Sequence, residues 1–278
     1  MLLLDALILV AKYIYKHYHS QEYSMKFAII TPKPDFAGLN IALELEKLGL
    51  GTLKPEERSI YLENIDKKLD ADFLIFATTH RGNKEKMLSV HAPGNWKQAD
   101  LGGKPGEICP TSAFVLKTFF QELNKNIPEG WQATLECTHH GPYLEKPCLF
   151  IEIGSNESNW QDKEAGKAIA KTIHDSIKVI NSNENKNWIP AIGLGGPHYC
   201  SNFNKIQLNS EYAISHIIPE YNLEYNTSYI ERVVREAIAK TSEKVEVVLV
   251  DWKGCGKSAE RKVIIDTLDN LKLKWERL

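Results

Sequence analysis

Apolar positions along the chain alternate between two rhythms. Residues 26–31 form a short apolar run of the kind that makes a buried strand. Residues 35–48 then place Leu39, Ala42, Leu43 and Leu45 to Leu48 at helical spacing, with Gly49 and Gly51 after them. Residues 59–62 and 73–78 are short β-rich runs. A helix follows at 112–124, with Phe114, Val115, Phe119, Phe120 and Leu123 as its apolar stripe. Residues 131–137 and 147–154 read as strands. Residues 160–180 read as a long helix with Ile169, Ile173, Ile177 and Ile180 on one face. After an asparagine-rich turn at 181–187 come a strand at 188–194, a helix at 227–241, a strand at 245–250 and a last helix from about residue 258. This alternation predicts an α/β fold, a three-layer α/β/α sandwich on a mostly parallel mixed sheet. Between 80 and 110 the chain is polar and glycine-rich without a period, and a loop that long in a compact domain is usually functional.

The first 24 residues differ from the rest. Leu2, Leu3, Leu4, Leu7, Ile8, Leu9 and Val10 are apolar, but Asp5 and Lys12 interrupt the run. It is too short to span a bilayer, and it lacks the basic start and small-residue cleavage site of a signal peptide. Residues 1–24 are therefore read as an extension, with Met25 as the natural start, and 25–278 as one α/β catalytic domain.

Composition narrows the class. With 43% hydrophobic and 25% charged residues the chain is an ordinary globular protein, large enough to need no disulfide or structural metal. Five cysteines at scattered spacings make no disulfide framework, which points to a reducing, cytoplasmic setting. A net charge of -2 excludes a protein living on nonspecific nucleic-acid binding, so a nucleic-acid partner must be held by a local patch or by its end.

The chemistry concentrates in histidine. Five of the nine histidines sit in short polar loops after strand-like runs: His80, His91, His139, His140 and His198. Histidine carries protons near neutral pH and is the commonest metal ligand, and strand ends are where α/β proteins bind ligands. In a continuing strand His139 and His140 would point to opposite faces, but the Gly141-Pro142 turn could swing both to one side. An exposed polar strand end would account for that pair alone. In Gly195-Gly196-Pro197-His198-Tyr199-Cys200 the glycines admit close approach to a ligand, and a turn could aim His198 and Cys200 at one zinc ion. Glu152 lies inside an apolar strand and needs a partner there; Glu136 is similar. No His-Glu-x-x-His or paired Cys-x-x-Cys is present.

Other motifs carry less. Gly254-Cys255-Gly256-Lys257-Ser258 lacks the first glycine of a P-loop, since Asp251 stands there, so ATP binding is rejected. Lys253, Lys257 and Arg261 at this helix start could still hold a nucleic-acid phosphate. Ser112 has no nucleophile elbow and reads as a helix cap, and nothing marks Cys109 as a nucleophile. His174 and His216 fall within helical patterns and read as structural.

Taken together, several stretches resemble the D-aminoacyl-tRNA deacylases of the archaeal and plant type. These are Thr79-His80-Arg81, His91-Ala92-Pro93-Gly94-Asn95-Trp96, Glu136 to Pro142, Phe150 to Ser155, Gly195 to Tyr199 and Asp251 to Gly254. The resemblance runs from Met25 to about Leu268. It implies hydrolysis of the ester joining a D-amino acid to the terminal ribose of tRNA, zinc dependence, and a fold similar to nucleoside phosphorylases and peptidyl-tRNA hydrolase. By residue type, the metal set is then His91, His139, His140, Glu152, His198 and Cys200. The catalytic set is His80, Glu136, His139, His140 and His198. Gly195, Gly196, Asn95, Trp96, Lys253, Lys257 and Arg261 would contact substrate, the glycine amides stabilising the oxyanion and the cations meeting the acceptor end. The protein is expected to be a monomer without a membrane partner. A zinc peptidase or nucleoside-cleaving hydrolase of similar fold, and a noncatalytic tRNA-end-binding protein, remain as alternatives.

Overall fold

The computed structural model describes residues 24–82, 86–182 and 186–278. The proposed N-terminal extension lies, apart from Ser24, outside the described residues. Among those described, no helix is long and apolar enough to cross a membrane.

The strands form two sheets. The first has the order β1 (Phe27–Ile30), β2 (Phe73–Thr79), β5 (Cys148–Gly154), β3 (Met87–His91), β4 (Gln132–Leu135). Strands β1, β2 and β5 are parallel, β3 is antiparallel to β5, and β4 is parallel to β3. The second sheet is wholly parallel, in the order β7 (Tyr212–Ile218), β6 (Ile189–Leu194), β8 (Val247–Val250), β9 (Trp275–Arg277). Every residue of β5 and β8 is buried; β8 is a continuous apolar run, as a strand inside a parallel sheet requires, and β5 is apolar but for Glu152 and its terminal glycine.

The α/β class and the mostly parallel pairing match the expectation from the sequence. The single sheet of a sandwich is corrected to two, because periodicity shows that a strand is buried but not which strand it pairs with. Three strands had no clear signal. Met87–His91 sits in the segment read as loop, Tyr212–Ile218 carries His216 and was read as helical, and Trp275–Arg277 follows the last helix. All are short, and a short apolar run does not distinguish strand from buried helix. Residues 59–61 form a 3₁₀ turn instead of a strand.

Helices α1 (Phe36–Lys47), α2 (Ala113–Asn126) and α4 (Lys163–Asn181) pack on one another against the first sheet. The short helix α3 (Glu157–Trp160) lies between β5 and α4. Side chains capping the helix starts come from Asp35, Ser112 and Asp162. Helices α6 (Thr227–Ala239) and α7 (Ser258–Asn270) cover one face of the second sheet, and α5 (Ser201–Asn209) covers the other. Helix α2 serves both sheets: Phe119 is in the first core and the adjacent Phe120 in the second.

Beyond β4 the chain crosses between the sheets. Glu136 N donates to Val90 O of the first sheet at 3.1 Å, while Cys137 N donates to His198 O at 2.9 Å and Thr138 N to Ile217 O at 3.0 Å. The carboxyl ends of β3 and β4 thus meet those of β6 and β7 at residues 136–138.

Lys117 on α2 makes a second tie. It is fully buried, and its ammonium donates to Gln207 O, Ser210 O and Tyr212 O at 2.7, 2.8 and 2.8 Å, using all three donors. Burial lowers its pKa to about 8. Lys117→Met keeps the volume and leaves three carbonyls unpaired. Denaturant unfolding is expected to show a loss of about 2–4 kcal/mol, and a loss below 0.5 kcal/mol would remove this tie from the account.

Candidate active site and metal centre

Five strand ends deliver the polar residues. His80 follows β2, His91 ends β3, and Glu152 lies near the end of β5. Glu136 to His140 continue from β4, and His198 follows the turn after β6. His140 takes a left-handed conformation at φ 47°. That reversal puts both rings of the pair on one side, with centroids 4.4 Å apart. The His91 ring packs close to each, tilted at 4.2 Å from His139 and edge-on at 4.8 Å from His140, and His198 lies 4.6 Å from His139. Gly154 admits the His80 ring, since a Cβ there would lie 2.7 Å from His80 Cδ2.

The imidazole hydrogens are placed by backbone carbonyls. His91 Nδ1 donates to Ala92 O at 3.1 Å, His139 Nδ1 to Cys137 O at 2.9 Å, and His140 Nδ1 to Gly141 O at 2.7 Å. Each neutral ring therefore keeps its lone pair on Nε2, the tautomer that metal-ligating histidines adopt. One ligand atom from each of these residues lies within 4.8 Å of the others. Burial, reinforced by His91, lowers the pKa of His140 to about 4 and holds that of His139 well below the usual histidine value. Buried His91 Nε2 has no hydrogen-bond partner. Three imidazole nitrogens converging with one of them orphaned is the arrangement a cation would complete, and the residues fit a metal. Two further sets share the neighbourhood: Cys137, His139 and His198, and His80, Glu136 and Glu152.

The carboxylates make the site bipolar. The Glu136 side chain is fully buried. His198 Nε2 donates to its Oε2 at 2.8 Å, His139 Nε2 is 3.4 Å from the same oxygen, and His80 Nδ1 is 3.1 Å from Oε1. Glu152 accepts from Thr78 Oγ1 at 2.8 Å and lies 3.5 Å from His80 and 3.7 Å from His91 Nε2. Burial alone would raise both carboxyl pKa values, but the histidines hold them well below the carboxylate range. Conversely, burial opposes charge on His80, yet the two glutamates push its pKa up to about 11. His198, opposed by burial and favoured by Cys137 and Glu136, rises to about 10. His80 Nε2 contacts Tyr199 OH at 3.2 Å, and His198 Nδ1 contacts Tyr221 OH at 3.1 Å.

These groups form one side of a pocket of about 340 Å³. His80, His139, His140, Glu152 and His198 line it, and Asp35, Phe36, Arg58, Ile60, Arg81, Leu101 and Trp160 stand on its other sides. Asp35 was not singled out in the sequence. Its carboxylate accepts from Gly38 N at 2.7 Å, Thr79 Oγ1 at 2.7 Å and Thr79 N at 3.0 Å, clasping the strand end before His80. Burial raises its pKa against those hydrogen bonds. The Asp-x-x-Gly spacing at the start of α1 is the signal that could have found it.

Several assignments from the sequence are corrected. Cys200 does not join the histidines: it is buried in the second sheet's apolar cluster, its Sγ contacts His198 O at 3.4 Å, and burial raises its pKa. Cys137 takes its place, with Sγ 3.4 Å from His198 Nδ1. The Gly195 and Gly196 amides are not free for an oxyanion, because they donate to Ile218 O at 2.8 Å and Gly254 O at 2.9 Å. Asn95 Nδ2 donates to Gly102 O at 2.9 Å, and Trp96 is 1% exposed within the second core; both build the fold around the site. Arg261 is turned back onto Gly256 O and the Trp252 ring. Lys253 and Lys257 remain exposed on the loop that packs against the Gly195–Gly196 turn.

Comparisons place this geometry among known proteins. A family model described as D-aminoacyl-tRNA deacylase matches residues 67–276. A D-aminoacyl-tRNA deacylase of Methanocaldococcus jannaschii is 33% identical over 266 residues, covering 91% of this chain and 100% of that protein. One of Pyrococcus abyssi is 33% identical over 254 residues, covering 81% of this chain and 90% of that protein. A crystal structure of a conserved protein of unknown function superposes with a TM-score of 0.80 at 28% identity, covering 91% of this chain and 95% of that one.

Two expectations follow from the geometry. Gly154→Ala must displace the His80 ring, so turnover is expected to fall at least tenfold with the unfolding midpoint little changed; equal turnover would show that the His80 position does not matter. His216 lies behind the site, its Nδ1 3.1 Å from Thr138 Oγ1 and its Nε2 3.3 Å from Lys240 O. His216 Nε2 donates to Lys240 O, so the neutral ring keeps its lone pair on Nδ1 and accepts there from Thr138 Oγ1. Burial accordingly lowers the His216 pKa from 6.5 to about 4. The unfolded chain then binds the extra proton between those values. Stability is complete above pH 6.5 and is lost as pH falls towards 4, by up to roughly 3 kcal/mol from this residue. His216→Gln is expected to flatten that part of the unfolding-versus-pH curve; an unchanged slope would dismiss this contribution.

Proposed function

The chain belongs to the D-aminoacyl-tRNA deacylase family, hydrolases of D-aminoacyl-tRNA, and we propose that the reaction takes place in the histidine-lined pocket at the junction of the two sheets. One observation carries this reading: five imidazoles, those of His80, His91, His139, His140 and His198, and the carboxylates of Glu136 and Glu152, from five separate strand ends, converge beside a single opening.

We assign His91, His139 and His140 as zinc ligands, with Glu152 beside His91 Nε2. Zinc, when bound, supplies Lewis-acid polarisation of the ester carbonyl and lowers the pKa of a bound water to about 7. The remaining residues handle protons and charge. Glu136 is ionised and within reach of His198, His139 and His80, so it accepts a proton as water adds to the ester carbon. His198, about a third exposed to the pocket and held charged by Glu136, donates to the leaving ribose oxygen. His80 stays charged between the two glutamates, fixing both carboxylates and facing developing negative charge in the tetrahedral state. We assign the exposed Lys253 and Lys257 to backbone phosphates of the acceptor stem.

Release of D-tyrosine from D-tyrosyl-tRNA, measured with metal content, tests this assignment. Alanine at His91, His139 or His140 is expected to remove bound zinc and lower turnover about 100-fold or more. Retention of full zinc content in all three variants would move the metal to another set. Glu136→Gln is expected to lower kcat about 100-fold while zinc content and KM stay within threefold; a loss confined to KM would make Glu136 a binding group.

A further inference from the structure

The histidine face of the pocket accounts for ester hydrolysis and leaves the opposite rim without a task. That rim is unusual for a protein surface. Phe36 and Leu101 both line the opening and are each 54% exposed, and Tyr61, next to the lining residue Ile60, is 51% exposed. Large apolar faces held in water around a pocket mouth mark a binding surface. Two cations flank them. Arg58 and Arg81 are exposed and line the same opening, and neither has a carboxylate partner among the described residues.

The rim is also built, not merely exposed. The Arg81 guanidinium lies over the Trp160 ring, 4.8 Å from its centroid. Trp160 is itself anchored by Nε1 donating to His80 O at 3.0 Å. Gly102, at φ 75°, presses the Leu101 loop so close to Ile60 that a Cβ would come within 1.8 Å of Ile60 O. The acid on this wall, Asp35, is committed to Thr79 and Gly38, and Glu56 beside the rim pairs with Lys33. Neither guanidinium is therefore held in an ion pair at the mouth among the described residues, although Glu152 lines the same pocket and Glu157 the adjoining cleft.

An ester on the terminal ribose, once in the pocket, leaves the preceding nucleotides at its mouth. Unpaired nucleotides are held by stacking on apolar and aromatic faces and by cations along their backbone. Given the hydrolytic reading above, we propose that this rim is the platform for the single-stranded 3′ end of the tRNA, with Phe36 and Leu101 under the bases and Arg58 and Arg81 on the phosphates between them. The substrate is then recognised through its last few unpaired nucleotides as well as through its aminoacyl group.

The test separates binding from turnover. Binding of the unacylated trinucleotide with the tRNA 3′ sequence is followed by fluorescence anisotropy for the native protein and for Phe36→Ala, Arg58→Ala and Arg81→Ala. Thermal unfolding checks that each variant is folded. Each substitution is expected to weaken binding about tenfold. Each arginine variant should also reduce the slope of log affinity against log salt by about 0.7, the share of one single-strand phosphate. In steady state, D-aminoacyl-trinucleotide should show a lower KM than 3′-D-aminoacyl-adenosine with the native protein, and lose that advantage in the variants with kcat within twofold. Unchanged trinucleotide binding in all three variants overturns the platform, as does loss of the advantage in Lys253→Ala or Lys257→Ala instead. A native protein that binds the trinucleotide but releases no amino acid overturns the hydrolase reading and leaves the platform standing.

Discussion

One buried carboxylate joins the two halves of the molecule. Glu136 lies on the segment that leaves the first sheet and pairs with the second, and its charge is shared between His80 from one sheet and His198 from the other. An ionised carboxylate stripped of water and left unpaired would be destabilising by several kcal/mol. The two sheets must therefore present their histidines before Glu136 can be buried, and the histidines gain charge from it in return. The same reciprocity places charged imidazoles and neutral imidazoles a few ångströms apart. His80 and His198 are each held by a carboxylate, whereas His139 and His140 are buried against one another and His91, with their Nδ1 hydrogens on the peptide backbone. Environment alone divides one residue type into proton carriers and lone-pair donors.

Much of this was legible in the sequence, and the parts that were not have a common cause. Strand-end histidines were readable because the strands before them are strongly apolar and the loops after them abruptly polar. The Gly141-Pro142 turn correctly announced that His139 and His140 would share a side. What the sequence could not show was anything decided by a partner distant in the chain. The division of strands into two sheets is set by pairing, and β3 was hidden because its five residues lie inside a polar stretch. Cys200 looked like a ligand from its spacing to His198, but spacing does not say whether a side chain points to a pocket or into a core, and Phe203 and Ile214 surround it with apolar neighbours. Gly195 and Gly196 offered amides on paper that the folded chain spends on Ile218 and Gly254.

The pocket is asymmetric in a way that suits an ester of a large polyanion. Its buried face carries the titratable groups and is closed by β5 and the 139–140 turn. Its open face carries aromatic, aliphatic and guanidinium groups from segments with no strand of their own, residues 34–36, 58–60 and 101. Titratable groups are thus fixed to the sheets, and the exposed apolar and guanidinium groups to loops pressed against them. The glycines at 102 and 154 serve these two sides separately, one admitting a loop and the other an imidazole.

The hydrogen bonds that orient His91, His139 and His140 all end on main-chain oxygens within two residues of the ring they hold. The outer shell of the centre is therefore written in the path of the chain and has no side chain of its own to lose. Exchange of a neighbouring side chain leaves it intact, while redirecting the carbonyl of Ala92, Cys137 or Gly141 turns the ring that it holds. The geometry of these donors is thus set by the residues that steer the loops as much as by the imidazoles themselves.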